Sequence, residues 1–256
     1  MSGAAFAYAQ VRLQAQHGQR AREDVWQPLS AIGEFRPFLE QARATPLRAW
    51  ISNVSPISPL HEMEQRLRGE YRRRVATVAS WLPKSLQSAV LWTRTLVDLP
   101  MVDYLLRREP LIGWMLDDEL LRPLAAAEPD ARAAALAQSV YAPLARGDES
   151  LRERWVNEWQ RRLPTQSKRS RQQLLRLVRT VRVHLASMQP AEGEELMPAR
   201  AAWALRRMLE QRFVYHFRWG FLEASGVFAF LMLEALEFER LRGELVRRRV
   251  FAGEVG

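Results

Sequence analysis

Four sets of residues in this 256-residue chain could do chemistry by type and spacing. His61-Glu62 opens like the helix motif of a zinc protease, in which two histidines four positions apart hold a metal and the glutamate activates water. The second histidine is missing here, because position 65 is Gln65. Asp117-Asp118-Glu119 offers oxygen ligands for a divalent cation, although three acids at a helix start also complement the helix dipole. Glu234, Glu237 and Glu239 invite an acid–base reading. On a helix, Glu234 and Glu237 lie one turn apart and Glu239 points elsewhere, with Arg240 and Arg242 near, so ion pairs on or between helices are expected.

The fourth set is the basic stretch KRSRQQLLRLVRTVRVHL at 168–185. Arg169, Arg176, Arg179 and Arg182 recur at helical spacing, while Leu174, Leu177, Val178, Val181 and Leu185 take the other face. Such a helix could lie along phosphates, with Trp155 and Trp159 nearby to stack on bases. It could equally be a solvated bundle face, or meet an acidic partner or a membrane surface. His17, His184 and His216 have no ligand spacing, and there is no glycine-rich phosphate loop or nucleophile elbow. Cysteine is absent, which removes disulfides, thiolate metal sites and cysteine nucleophiles. Neither catalysis nor a metal or other cofactor is expected.

The elements that would position these groups all read as helices. Residues 4–22 carry a thin stripe of Phe6, Val11 and Leu13; Asp24 can cap a short helix through Leu29, limited by Pro28. Phe35, Phe38, Leu39 and Ala42 repeat at i, i+3, i+4 and i+7. ISNVSPISP at 51–59 is the clearest connector, and Ser58-Pro59 then starts a helix with serine at the N-cap. That helix buries Met63, Leu67, Tyr71, Val75 and Val78 and ends at Leu82-Pro83; Ser85–Leu99 continues as another. Met101–Arg108 and a helix from Glu128-Pro129-Asp130 to Tyr141 follow, and Gly147-Asp148 marks a restart. PAEGEELMP at 190–198 reads as an acidic linker, and Gly220 and Gly226 divide the last two helices, with Val227–Arg249 as one unit. No alternating strand pattern is present.

MEQRLRGEYRRRV (63–75) and LRERWVNEWQRRL (151–163) repeat one design at an offset of 88 positions. Glu70 meets Glu158, Tyr71 meets Trp159, and Arg73-Arg74 meet Arg161-Arg162, whereas Arg72 meets Gln160. Leu86, Ala89, Val90 and Val97 meet Leu174, Leu177, Val178 and Leu185 in the same register. Upstream, FLEQARATPLRA (38–49) echoes ALAQSVYAPLAR (135–146). The expected organisation is a first helical unit at 1–113, a second at 114–190, and a partial third with the C-terminal helix at 191–256. Each unit has a bundle helix as its spine, with partner contacts added at the arginine ends: Arg72, Arg73, Arg74, Arg161, Arg162, and along the basic helix Arg169, Arg176, Arg179 and Arg182.

Composition suits a folded helical protein: 48% hydrophobic, 26% charged, only 12 glycines and 14 prolines. Of 38 basic residues only Lys84 and Lys168 are lysines, a bias that fits a GC-rich bacterial genome. A net charge of +9 favours nucleic acid, acidic head groups or an acidic protein without choosing among them. The N-terminus lacks a basic start followed by an apolar core, and no run approaches the roughly 20 apolar residues of a membrane span. A cytoplasmic location is expected.

In order along the chain, several motifs resemble the C/d subunit family of V-type and archaeal A-type rotary ATPases. They are Tyr8 to Arg12, GEFRPFLEQARATPLRAW (33–50), SPLHEMEQRLRGEYRRRVATVASWLP (58–83), VDLPMVDYLLRREPLIG (97–113) and FLMLEALEFERLRGELVRRRVFAG (230–253). Asp98 matches the family's aspartate, and Met101 stands where asparagine is usual. The family consists of three similar helical units in a pseudo-threefold funnel; this chain holds about two units and a partial third, in which Glu237, Leu241 and Leu245 echo Asp98, Val102 and Leu106. The resemblance implies an all-α, non-catalytic coupler, peripheral on the inner face of a membrane. It would join a central stalk to a membrane ring, with those subunits as partners and no small-molecule substrate. The alternative is an arginine-rich helical nucleic-acid-binding protein using the 168–182 face.

Overall fold

A computed structural model describes residues 3–165, 167–186 and 199–251. Among them every regular element is helical. The chain runs through α1 (Gly3–Gly18), α2 (Glu23–Ala31), α3 (Phe35–Arg43), the single turn α4 (Arg48–Ile51) and the long α5 (Leu60–Ser80). Next come α6 (Lys84–Trp92), a 3-10 segment (Thr93–Asp98) and α7 (Leu99–Leu106). After these lie the short α8 (Arg122–Ala125) and α9 (Arg132–Ala137), then α10 (Leu151–Arg162), α11 (Lys168–Ala186), α12 (Ala199–Trp219) and α13 (Ala224–Phe251). The acidic 190–198 stretch lies outside the described residues.

The fold is organised on α13. Its first half, Val227–Leu233, is apolar on every side and wholly buried, as a helix surrounded by others must be. α12 returns antiparallel along it: Phe217 packs tilted against Phe230, with centroids 6.1 Å apart, and Arg206 reaches Glu239 at the far end. α1, α3, α5 and α11 cover the remaining faces. In the second half of α13 charged residues join the apolar ones, several of them buried, and they find partners on neighbouring helices or on α13 itself. Arg240 pairs with Glu23 at 2.7 Å, Arg242 with Glu64 at 2.6 Å, and Arg248 donates to Leu29 and Ile32 carbonyls at 2.9 and 2.8 Å.

Several boundaries shift from the sequence reading for local reasons. α5 begins one residue later than the Ser58-Pro59 cap implies, because Pro59 is itself the N-cap and Ser58 Oγ instead accepts the Ser55 N–H. Pro28 sits inside α2 without ending it. The helix expected over Ser85–Leu99 tightens to 3-10 at Thr93, where the Thr93 and Thr95 hydroxyls donate back to Val90 and Trp92 carbonyls at 2.7 and 2.8 Å. That tightening places Asp98 entirely inside the protein. The restart at Gly147 is real: it takes φ +103°, and Ser150 then caps α10 through the Glu153 N–H.

The two copies of the spine segment share their buried faces. Met63, Leu67 and Tyr71 on α5 correspond to Leu151, Trp155 and Trp159 on α10, all buried. On both helices a glutamate gathers the arginines three and four residues on: Glu70 with Arg73 and Arg74, Glu158 with Arg161 and Arg162.

Candidate functional site

The arginine end of α5 points inward as well as outward. Arg72 bonds both oxygens of Asp118, at 3.0 and 2.9 Å, and Asp98 at 2.6 Å. Burial works against its charge, but Asp98 and Asp118 outweigh it and raise its pKa. Asp98 also accepts from Arg68 at 3.1 Å and from the Tyr141 hydroxyl at 2.9 Å. Arg68 in turn holds Glu64 at 2.7 Å, and Glu64 reaches Arg242. Burial pushes the Glu64 carboxyl up, yet the fields of Arg68 and Arg242 prevail and hold it below the usual carboxylate range. The result is a chain of alternating charges, Arg242–Glu64–Arg68–Asp98–Arg72–Asp118, linking α13, α5, the 3-10 segment and the loop before α8.

The other candidate arginines of the two spines are ion-paired too. Arg74 bridges Glu70 at 2.8 Å and Glu234 at 2.5 Å, with its guanidinium 4.0 Å from the Trp50 ring centroid. Arg162 holds Glu158 at 2.6 Å and lies over Trp92. Arg73 and Arg161, with side chains 70% and 75% exposed, pair with Glu70 and Glu158 while still facing solvent.

The acidic candidates serve these pairings. Asp118 caps the turn through the Leu120 and Leu121 N–H groups at 3.0 and 3.1 Å, besides holding Arg72. Among the described residues no three His, Cys, Asp or Glu side chains come together as a metal cluster. Glu237 lines a cleft of about 320 Å³ together with Arg20, Glu70 and Arg74, and Glu234 lies buried behind it, paired with Arg74 and Arg20. Glu237 accepts from Trp50 Nε1 at 2.8 Å and the Ala21 N–H at 3.1 Å, so both its oxygens are taken. Burial and the neighbouring Glu237 raise the Glu234 pKa against the pull of Arg74 and Arg20. Glu239 faces another way, as its helix position requires, and meets His184 at 3.1 Å and Arg206 at 3.4 Å. The expected inter-helix pairing holds, but Arg240 and Arg242 serve Glu23 and Glu64 rather than these three glutamates.

The basic helix is different. Arg169, Arg171, Arg176 and Arg179 are exposed, and among the described residues no carboxylate pairs with them. Arg182 departs from the set: it bonds Glu153 at 3.0 Å and Asn157 at 3.2 Å. α12 contributes Arg212 beside Arg176 and Arg179, and the three line a shallow groove of about 490 Å³ with Tyr215 and His216. Burial and the fields of Arg176 and Arg212 lower the His216 pKa. Trp155 and Trp159 cannot serve this face. Both are fully buried, stacked on one another at 6.0 Å, and Trp155 donates to Thr95 Oγ1 at 2.9 Å. Arg212 and Tyr215 were the missed members; their i, i+3 spacing on α12 is the signal that could have found them.

No family model, curated protein or solved structure matches the chain. Among the described residues no helix is long and apolar enough to cross a membrane.

Proposed function

We propose that the chain is a non-catalytic helical adaptor of the rotary-ATPase C/d kind, coupling a stalk to a membrane ring, or a shortened relative of it recruited to another membrane-associated assembly. The observation that carries this reading is the buried chain of charges from Arg242 to Asp118. A largely buried ion-pair network that spans several elements fixes them in one relative arrangement, which is what a part that transmits force between two interfaces needs. Matched stripes and matched Glu–Arg clusters on α5 and α10 support the duplicated design, with units at 1–113 and 114–190, a partial third at 191–256, and a funnel-like arrangement. Its partners are then stalk and ring subunits, with no cofactor or small-molecule substrate. Affinity purification from detergent-solubilised membranes of the native cell should recover those subunits. Recovery of the chain alone, or with nucleic acid only, overturns the reading.

One observation favours a second reading. Arg169, Arg171, Arg176, Arg179 and Arg212 are cations that no carboxylate pairs with among the described residues, and three of them share one groove, the kind of charge that follows a phosphate backbone. If those five each neutralise a phosphate, DNA affinity drops roughly 500-fold between about 50 and about 200 mM salt. Flat, weak binding across that range removes this alternative.

A further inference from the structure

Between α12 and α13 the chain reverses within a few residues and leaves three large apolar side chains in solvent. Trp219 is 63% exposed, Phe221 56% and Leu222 46%. The turn that displays them is tightly built. A Cβ at Gly220 would stand 2.3 Å from the Gly226 backbone nitrogen, so this closeness needs glycine. Leu222 holds φ +59°, a left-handed conformation that costs any side-chain-bearing residue energy. Its N–H is fixed by Gln10 Oε1 at 3.3 Å, and the Glu223 N–H closes onto Gly220 at 2.9 Å.

Cations flank this tip. Tyr215, one helical turn before Trp219 with rings 5.7 Å apart, continues the apolar surface into the groove of Arg176, Arg179 and Arg212. The Ser170 hydroxyl donates to Glu223, the carboxylate of the turn, and so ties the turn to the first turn of α11, which also carries the exposed Lys168, Arg169 and Arg171. Exposed Trp, Tyr and Phe edged by exposed arginine match the chemistry of a bilayer interface, where aromatic rings sit at head-group level and phosphates meet cations.

We propose that this end of the molecule docks on an anionic lipid bilayer, with Trp219, Phe221 and Leu222 entering the head-group boundary and the α11–α12 arginines holding lipid phosphates. The inference rests on the membrane-peripheral part of the adaptor reading and is judged apart from it, since recovery of stalk and ring subunits needs no lipid. The experiment is sedimentation of the full chain with vesicles of phosphatidylcholine alone and of phosphatidylcholine mixed with phosphatidylglycerol. Binding is expected on the anionic vesicles only. Arg176→Gln, Arg179→Gln and Arg212→Gln should each weaken it about fivefold. The double variant Trp219→Ser/Phe221→Ser should weaken it about tenfold or more, with an unchanged circular dichroism melt because both rings are exposed. No binding to anionic vesicles, equal binding to neutral ones, or binding that survives the double variant overturns the proposal. So does capture of a protein through the tip while vesicles stay unbound. Vesicle binding by a chain that is recovered alone from the native membranes would instead remove the adaptor reading and leave this one standing.

Discussion

Arg68 and Asp98 meet 3.1 Å apart with only 2% and 0% of their side-chain surfaces exposed. A pair so enclosed persists because further charges complete it, Glu64 on the arginine and Arg72 on the aspartate. Removing the centre is therefore worse than removing a rim. Asp98→Ala leaves Arg68 and Arg72 facing each other and the Tyr141 hydroxyl without its acceptor, and should cost about 3–5 kcal/mol. Glu62→Ala, which breaks the half-exposed pair with Arg66, should cost at most about 1 kcal/mol. Urea denaturation midpoints measure both. Equal losses would mean that the buried chain adds nothing beyond surface pairing.

What could be read in advance followed from local spacing. The stripe Met63, Leu67, Tyr71, Val75 is legible because burial on one face of a helix repeats every three or four residues, and all four are buried. The helix break at Gly220 and the grouping of Arg73 and Arg74 on Glu70 are equally local, whereas Gly226 lies inside α13, which begins at Ala224. Arg72 was not legible as an internal ion pair. Its partner Asp118 lies 46 residues away and meets it only once the loop before α8 folds back on α5. Trp155 and Trp159 looked available to a ligand because tryptophan serves cores and interfaces alike, and only packing against Trp92 and Phe228 decides for the core. The 168–182 arginines looked uniform along one helix, but Arg182 reaches α10 while Arg176 and Arg179 face the groove beside α12.

His17 stacks on Phe217 with centroids 4.5 Å apart, and burial followed by Arg20, Arg218 and Arg22 lowers its pKa from 6.5 to about 4. In that window the unfolded chain binds a proton that the folded chain refuses. Stability from this site is thus complete above about 6.5 and is lost as the pH falls toward about 4. His17→Phe keeps a ring against Phe217 and removes the titration. Its stability relative to the parent should rise as the pH drops through that window, in urea midpoints taken across a pH series. A constant difference would mean that His17 titrates alike in both states.

Gly220 and Leu222 make a pair of opposite sign. Gly220→Ala drives a methyl into the Gly226 backbone and should cost about 1–3 kcal/mol. Leu222→Gly relieves the φ of +59° at an exposed position and should stabilise by about 1 kcal/mol. Thermal melts decide. A destabilised Leu222→Gly would show that the exposed side chain contributes packing to the fold.

Glu234 and Glu64 are buried carboxylates whose surroundings push them in opposite directions, and their glutamine variants separate the two effects. At Glu64 burial opposes the charge, but Arg68 and Arg242 win and lower the pKa. Its contribution is present above the ordinary carboxylate pKa and is lost as the pH falls through the folded value. Glu64→Gln should therefore cost about 1.5–3 kcal/mol near neutral pH. At Glu234 burial and Glu237 together outweigh Arg74 and Arg20, and the pKa rises. The sign reverses: stability is greatest below the unfolded value and is lost as the pH climbs through the folded one. A glutamine there imitates the protonated acid and can still accept from Arg74, so Glu234→Gln should stay within about 1 kcal/mol of the parent near neutral pH. It should also flatten the decline in stability between acid and neutral conditions. If Glu234→Gln instead loses as much as Glu64→Gln, the pull of Arg74 and Arg20 exceeds the repulsion from Glu237, and Glu234 is an ordinary member of the charged network.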